Sequence, residues 1–187
     1  LFVAVDNNLN KLRPDDLVSM MTNLVTIHLQ NNCLLKRSST LWPKFYTLMD
    51  SFATEIDKSI PSYSSFDLAD CLWGFATIGL TIPCGFLCRV LDDLAQESKF
   101  QTLKQDPHRT ATVCWATAAL FRSADKNPGD IKKINGLILA VVESDSDWTG
   151  NDVVDIMHAC CSLPLKVDNV MSAIQDLERF LENHKED

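Results

Sequence analysis

The chain has 187 residues, of which 46% are hydrophobic and 22% charged, and its formal net charge is −8. With 6 Gly and 7 Pro it is neither collagen-like nor of low complexity. Its longest aliphatic run, residues 137–142, is far short of the ~20 apolar residues that cross a bilayer, so no membrane insertion is expected.

In chain order, residues 16–27 (Asp-Leu-Val-Ser-Met-Met-Thr-Asn-Leu-Val-Thr-Ile) carry apolar residues at third-and-fourth spacing and predict a helix. A polar break at 30–39 precedes a second helix over 41–56, with Pro43 near its start, where a missing N–H costs nothing. Residues 67–78 predict the next helix, with Leu68, Cys71, Leu72, Phe75 and Ala76 as its core stripe and Gly79 as its stop. A partner helix is expected over 83–97, on Phe86, Val90, Leu91 and Leu94, followed by a polar turn over 99–108. Residues 109–120 and 129–143 form the next expected pair. After a break at 144–149, residues 152–163 (Val153, Ile156, Met157, Cys160, Cys161) and 167–183 (Val170, Ile174, Leu177, Leu181) form the last, with Pro164 between them. No stretch alternates with period two for long enough to claim a sheet, so the fold class is all-α.

The first helix of each pair repeats. Residues 67–78 align without a gap on 152–163: Asp67 and Asp70 fall on Asp152 and Asp155, and apolar falls on apolar at nearly every core position. Residues 16–27 fit the same frame, and 109–120 fit more loosely, with Trp115 under Trp73. The frame begins at 16, 67, 109 and 152, at intervals of 51, 42 and 43 residues, which lies in the range of helical-hairpin repeats. Two helices cannot bury both apolar faces alone, so the pairs are expected to stack. The expected architecture is an α-solenoid of about four antiparallel helix pairs in one helical-repeat domain, 1–187, with repeats at approximately 12–58, 63–98, 106–143 and 149–184 and a right-handed superhelix.

The chemistry of catalysis is sparse. Seven cysteines (33, 71, 84, 88, 114, 160 and 161) are odd in number and sit mostly in apolar stretches, which suits packing in a reducing compartment. Cys84 and Cys88 lie one helical turn apart but no second pair completes a zinc site, and Cys160 and Cys161 diverge around their helix. The neighbourhood of Asp155, His158 and Cys160 is on one helix, wrong for a shared proton. No phosphate loop, nucleophile elbow or zinc-protease motif occurs, so no enzyme activity, metal, cofactor or small-molecule substrate is expected. Charge is uneven. Residues 99–142 carry 7 bases against 3 acids, whereas 143–187 carry 11 acids against 3 bases. The first of these could face phosphate, and Arg109, Lys126, Lys132 and Lys133 are the candidate contacts; the second suits a basic protein surface. Trp73 and Trp115 recur in register between small residues and are expected to pack between repeats. Trp148, in a polar turn, is the candidate partner contact.

The string Phe66-Asp-Leu-Ala-Asp-Cys-Leu-Trp-Gly-Phe-Ala-Thr-Ile-Gly79 resembles the first helix of octotricopeptide and heptatricopeptide repeats, and the helical repeats of organellar RAP-domain and FAST-kinase-like proteins. The resemblance covers about Asp15 to Leu181; the first copy lacks the Trp, and no RAP-like segment is visible. It implies an α-solenoid in organellar RNA metabolism, in the mitochondrial matrix or else another organelle or the cytoplasm. It also implies work on ribosomal or other organellar RNA and ribonucleoprotein subunits, as in a mitochondrial ribosome. The alternative is a protein–protein adaptor with no RNA contact. If the first helices line the concave face, the expected outward polar positions are Ser19, Asn23, Asp70, Thr77, Thr112, His158 and Ser162.

Overall fold

The structure, a computed structural model, describes residues 5–30, 40–123, 138, 141, 148–163 and 175. Among these residues there are seven α-helices, two short 3-10 turns (Leu9–Lys11 and Ile60–Ser62) and no strand. The helices are α1 (Pro14–Gln30), α2 (Trp42–Asp57), α3 (Ser65–Ile78), α4 (Cys84–Leu94), α5 (Glu97–Lys104), α6 (Pro107–Ser123) and α7 (Gly150–Ser162). The fold class is all-α. None of these helices is long and apolar enough to cross a membrane.

Local chemistry sets the boundaries. Pro14 and Pro107 open α1 and α6 at the position where an amide hydrogen has no helical partner. Ser64 and Thr149 open α3 and α7, each accepting the amide of the residue three on, Asp67 or Asp152, whose carboxylate accepts the cap's amide in return. At the far end of α3, Gly79 turns left-handed (φ 65°), its N–H bonds to Ala76 O, and Leu80 N–H reaches back to Phe75 O. This is the C-terminal closure that glycine makes without strain, and the buried Leu80 seals it.

The second helices differ in part from the pattern reading. The helix expected over 41–56 is α2. The one expected over 83–97 ends at Leu94, and the turn expected over 99–108 holds α5 and the start of α6. Phe100 and Leu103 explain the extra helix: three residues apart, they turn into the core, where Leu103 is fully buried. Lys99 has a structural task as well. Its half-buried ammonium pairs with the buried Asp93 and donates to the carbonyl of Tyr63 at 2.7 Å, while Gln96 Nε2 donates to the other Asp93 oxygen at 2.9 Å. A lysine that reads as solvated thus ties α4 and α5 to the turn before α3. The helices expected over 129–143 and 167–183 lie outside the described residues, apart from single helical positions at Ile138, Val141 and Gln175.

The four helices that open the expected repeats pack in chain order: α1 on α3, α3 on α6, and α6 on α7. Helices α2, α4 and α5 lie against them, α2 on α1, and α4 and α5 on both α3 and α6. One core runs through these contacts, with Phe45, Phe52, Phe75, Phe121, Met21 and Leu72 among its largest buried side chains.

Candidate functional site

Each of the four opening helices begins two residues before its sequence frame: Pro14 before Asp16, Ser65 before Asp67, Pro107 before Arg109, Gly150 before Asp152. The residue preceding each helix bonds to the frame's first residue in every case, with different partners. Arg13 Nε donates to Asp16 at 2.9 Å, and the Arg109 amide donates to Asp106 at 3.0 Å. Ser64 and Thr149 form the capping boxes with Asp67 and Asp152. The helical registers therefore coincide even where the residues differ.

With the register fixed, equivalent positions can be compared. The second residue of the frame (Leu17, Leu68, Thr110, Val153) is buried in all four. The eighth is Asn23, Gly74, Ala116 and Ala159; it is exposed in α1 and buried in the other three. Gly74 shows why it is small. A Cβ there would stand 3.0 Å from Met21 Cε and 3.5 Å from Val25 Cγ2, so its helix seats directly on α1.

The remaining side of each opening helix stays open. Its fourth, seventh and eleventh frame positions (Asp70, Trp73 and Thr77 in α3; Thr112, Trp115 and Ala119 in α6; Asp155, His158 and Ser162 in α7) are half-buried, and Ser19 in α1 is exposed. The seven residues expected to point outward are all at least partly accessible. Trp73 and Trp115 pack against the core, as their register suggests, yet each keeps part of its surface open. The face thus presents two indoles, hydroxyls, a histidine and two carboxylates.

Polar bridges tie this face across helices. Arg109 of α6 reaches Asp70 of α3 at 3.5 Å and Asp106 at 3.4 Å, with its guanidinium 4.6 Å from the centre of the Phe66 ring. His108 Nδ1 lies 2.9 Å from the buried Asp152 of α7. Burial pushes the Asp70 carboxyl up, against the pull of Arg109. Burial, with Asp152 nearby, does the same to Asp155. For Asp152 the burial is outweighed by the Thr149 hydroxyl, the Thr149 amide and His108, which together hold its carboxyl below the usual range. The Cys160 thiol, beside His158 in sequence, is pushed up to about 11 by burial and by Cys161, so it is a thiol and not a thiolate near neutrality.

Among the site residues expected from sequence, Arg109 is on this face but spends its charge on Asp70 and Asp106. Lys126, Lys132 and Lys133 lie outside the described residues. Trp148, the candidate partner contact, is 8% exposed and belongs to the core, where the indole just before α7 packs inward. A ring that size gains more from burial than a polar turn gains from exposing it. The sequence reading missed His108 and Lys99: the acid that His108 meets lies 44 residues on and the carbonyl that Lys99 reaches 36 residues back, and sequence does not show those distances. No group of three or more His, Cys, Asp or Glu among the described residues is placed to hold a metal. None of the six described cysteines is in a disulfide, and Cys161 alone of them is exposed. An open cleft of about 360 Å³ is lined by the N-terminal turn and α2, including Asp6, Asn7, Glu55 and Lys58, and takes nothing from the opening helices. No protein-family model matches the chain, and no curated protein matches it.

Proposed function

We propose that the chain is a short α-solenoid of about four helix pairs, and that it is a non-enzymatic binding scaffold of organellar RNA metabolism, a structural subunit of a mitochondrial ribosome or related ribonucleoprotein. The observation that carries the scaffold reading is the shared register: four helices start at the same frame position, pack in chain order, and leave the same side open. Such an arrangement offers an extended surface to a macromolecule. The organellar setting rests on the resemblance of residues 66–79 to octotricopeptide-type repeats. In this reading Lys126, Lys132 and Lys133 supply phosphate contacts, and the acidic 143–187 segment meets a basic protein.

A second reading, a protein–protein adaptor with no RNA contact, is favoured by one observation. Two of the bases counted toward a phosphate-binding stretch, Lys99 and Arg109, are held by Asp93, Asp70 and Asp106. Anisotropy of a labelled single-stranded RNA at two salt concentrations separates the readings. Three phosphate contacts predict a loss of roughly tenfold or more in affinity between 50 and 200 mM salt. Lys132→Glu with Lys133→Glu removes most of the binding. No binding at low salt leaves the adaptor.

A further inference from the structure

The first and last of the described opening helices are chemically unlike on their outward sides. At the α1 end the outward side carries Ser19 and Asn23, both exposed and polar. At the α7 end the outward side carries Val154, which is 63% exposed, the half-buried Met157 and the exposed Cys161, at spacings of three and four residues. In the preceding helices the equivalents of Val154 (Val18, Ala69, Ala111) are all buried. The equivalents of Cys161 are Val25 and Ala118, fully buried, and Ala76, half-buried and packed against the core. These positions are the ones that take the next helix: Met21 and Val25 of α1 receive Gly74 of α3. Met157 and Cys161 occupy the same two places in α7, with methionine at the same frame position.

We infer that the outward side of α7 is a docking site for one more helix of the opening type, an amphipathic helix with Gly or Ala at its eighth frame position, which seats on Val154, Met157 and Cys161. The site continues the interfaces that α1–α3, α3–α6 and α6–α7 already make. Two features argue against a second copy of the chain. Head-to-tail addition would bring Asn23, polar and larger, to the place where Gly74, Ala116 and Ala159 sit. A two-fold contact through three side chains is far below the ~800 Å² per partner of a stable dimer. The inference rests on the same register as the scaffold reading but not on the open face, so failure of RNA or partner binding there leaves it standing.

The test is the labelling rate of Cys161 with a maleimide in the full chain carrying Cys33→Ser. The probe is a synthetic peptide of this chain's own residues 64–79, stapled between the outward positions 70 and 77. Fast labelling of Cys161 in the free protein is expected. Saturating peptide should slow it about tenfold or more by mass action. Val154→Asp in the protein, or Gly74→Leu in the peptide, should abolish that protection. Slow labelling without peptide means that the chain covers α7 itself and overturns the site. Labelling that slows with protein concentration assigns the face to a second copy and also overturns it. A rate unchanged by the unmodified peptide is equally contrary.

Discussion

Helices α3 and α7 begin with the same capping box and share acids at the first and fourth frame positions, yet they live in different surroundings. Helix α3 has an opening helix on each side and buries Leu68, Ala69, Leu72, Gly74 and Phe75. Helix α7 has one on a single described side, and Val154, the counterpart of Ala69, stands out to solvent. Sequence pattern sets where a helix starts and how it turns; neighbours decide how many of its sides are core. A helix seated on another needs a small residue at the contact, whereas the same position without a described neighbour carries a larger polar group, as Gly74 against Asn23 shows.

The comparison breaks most sharply at the aromatic core. Phe75→Ala should cost about 3–5 kcal/mol, because its ring is fully buried where α3 meets its neighbours. Val154→Ala, exposed on α7, should stay within about 0.5 kcal/mol; urea unfolding of both variants checks the contrast. Next comes the seat on α1. Gly74→Leu should lose about 1–3 kcal/mol or more, since even a Cβ meets Met21 at 3.0 Å. Asn23→Leu, at the same frame position of α1, should change stability by no more than about 0.5 kcal/mol, read by thermal unfolding side by side. The caps sharpen the likeness instead of the difference: Ser64→Ala and Thr149→Ala should each cost about 1 kcal/mol, and unequal losses would mean that one helix start is held by something besides its box.

The smallest effect is in acid. Asp152 has a folded pKa below its ordinary 3.8, so its contribution is present above that value and is lost as pH falls through the folded one. Asp152→Asn should therefore destabilise at neutral pH, with the gap closing in acid. Asp155 is shifted the other way, so the stability linked to its protonated form is complete below 3.8 and lost as pH rises through the raised folded value. Asp155→Asn should be slightly stabilising at neutral pH and without effect in acid. Denaturant midpoints across the pH range check both signs.

Much of this was legible in the chain. The all-α class followed from spacing, and the frame at 16, 67, 109 and 152 marked the helix starts to a constant offset of two residues. That worked because the first turn of a helix has its own chemistry, a cap and its partner three residues on, which sequence displays directly. Helix α5 was not legible: its polar exterior reads as a turn, and only the burial of Leu103 and the Tyr63 carbonyl that Lys99 reaches, both supplied by distant segments, make it a helix. The burial of Trp148 was no more legible, since its polar neighbours say nothing of the core beneath it. The open face was half legible. Its outward positions followed from the frame, whereas the capture of Arg109 by Asp70 depends on how far apart two helices lie.

The proposed solenoid requires the four opening helices to lie in line, and pulsed electron–electron double resonance between nitroxides at Ser19→Cys and Asp155→Cys, in a chain with Cys33→Ser and Cys161→Ser, measures whether they do. Three steps between adjacent helices, at about 8–10 Å each, predict a narrow distribution near ~25–30 Å. A distribution centred near the ~14 Å diagonal of a closed four-helix bundle would contradict the account.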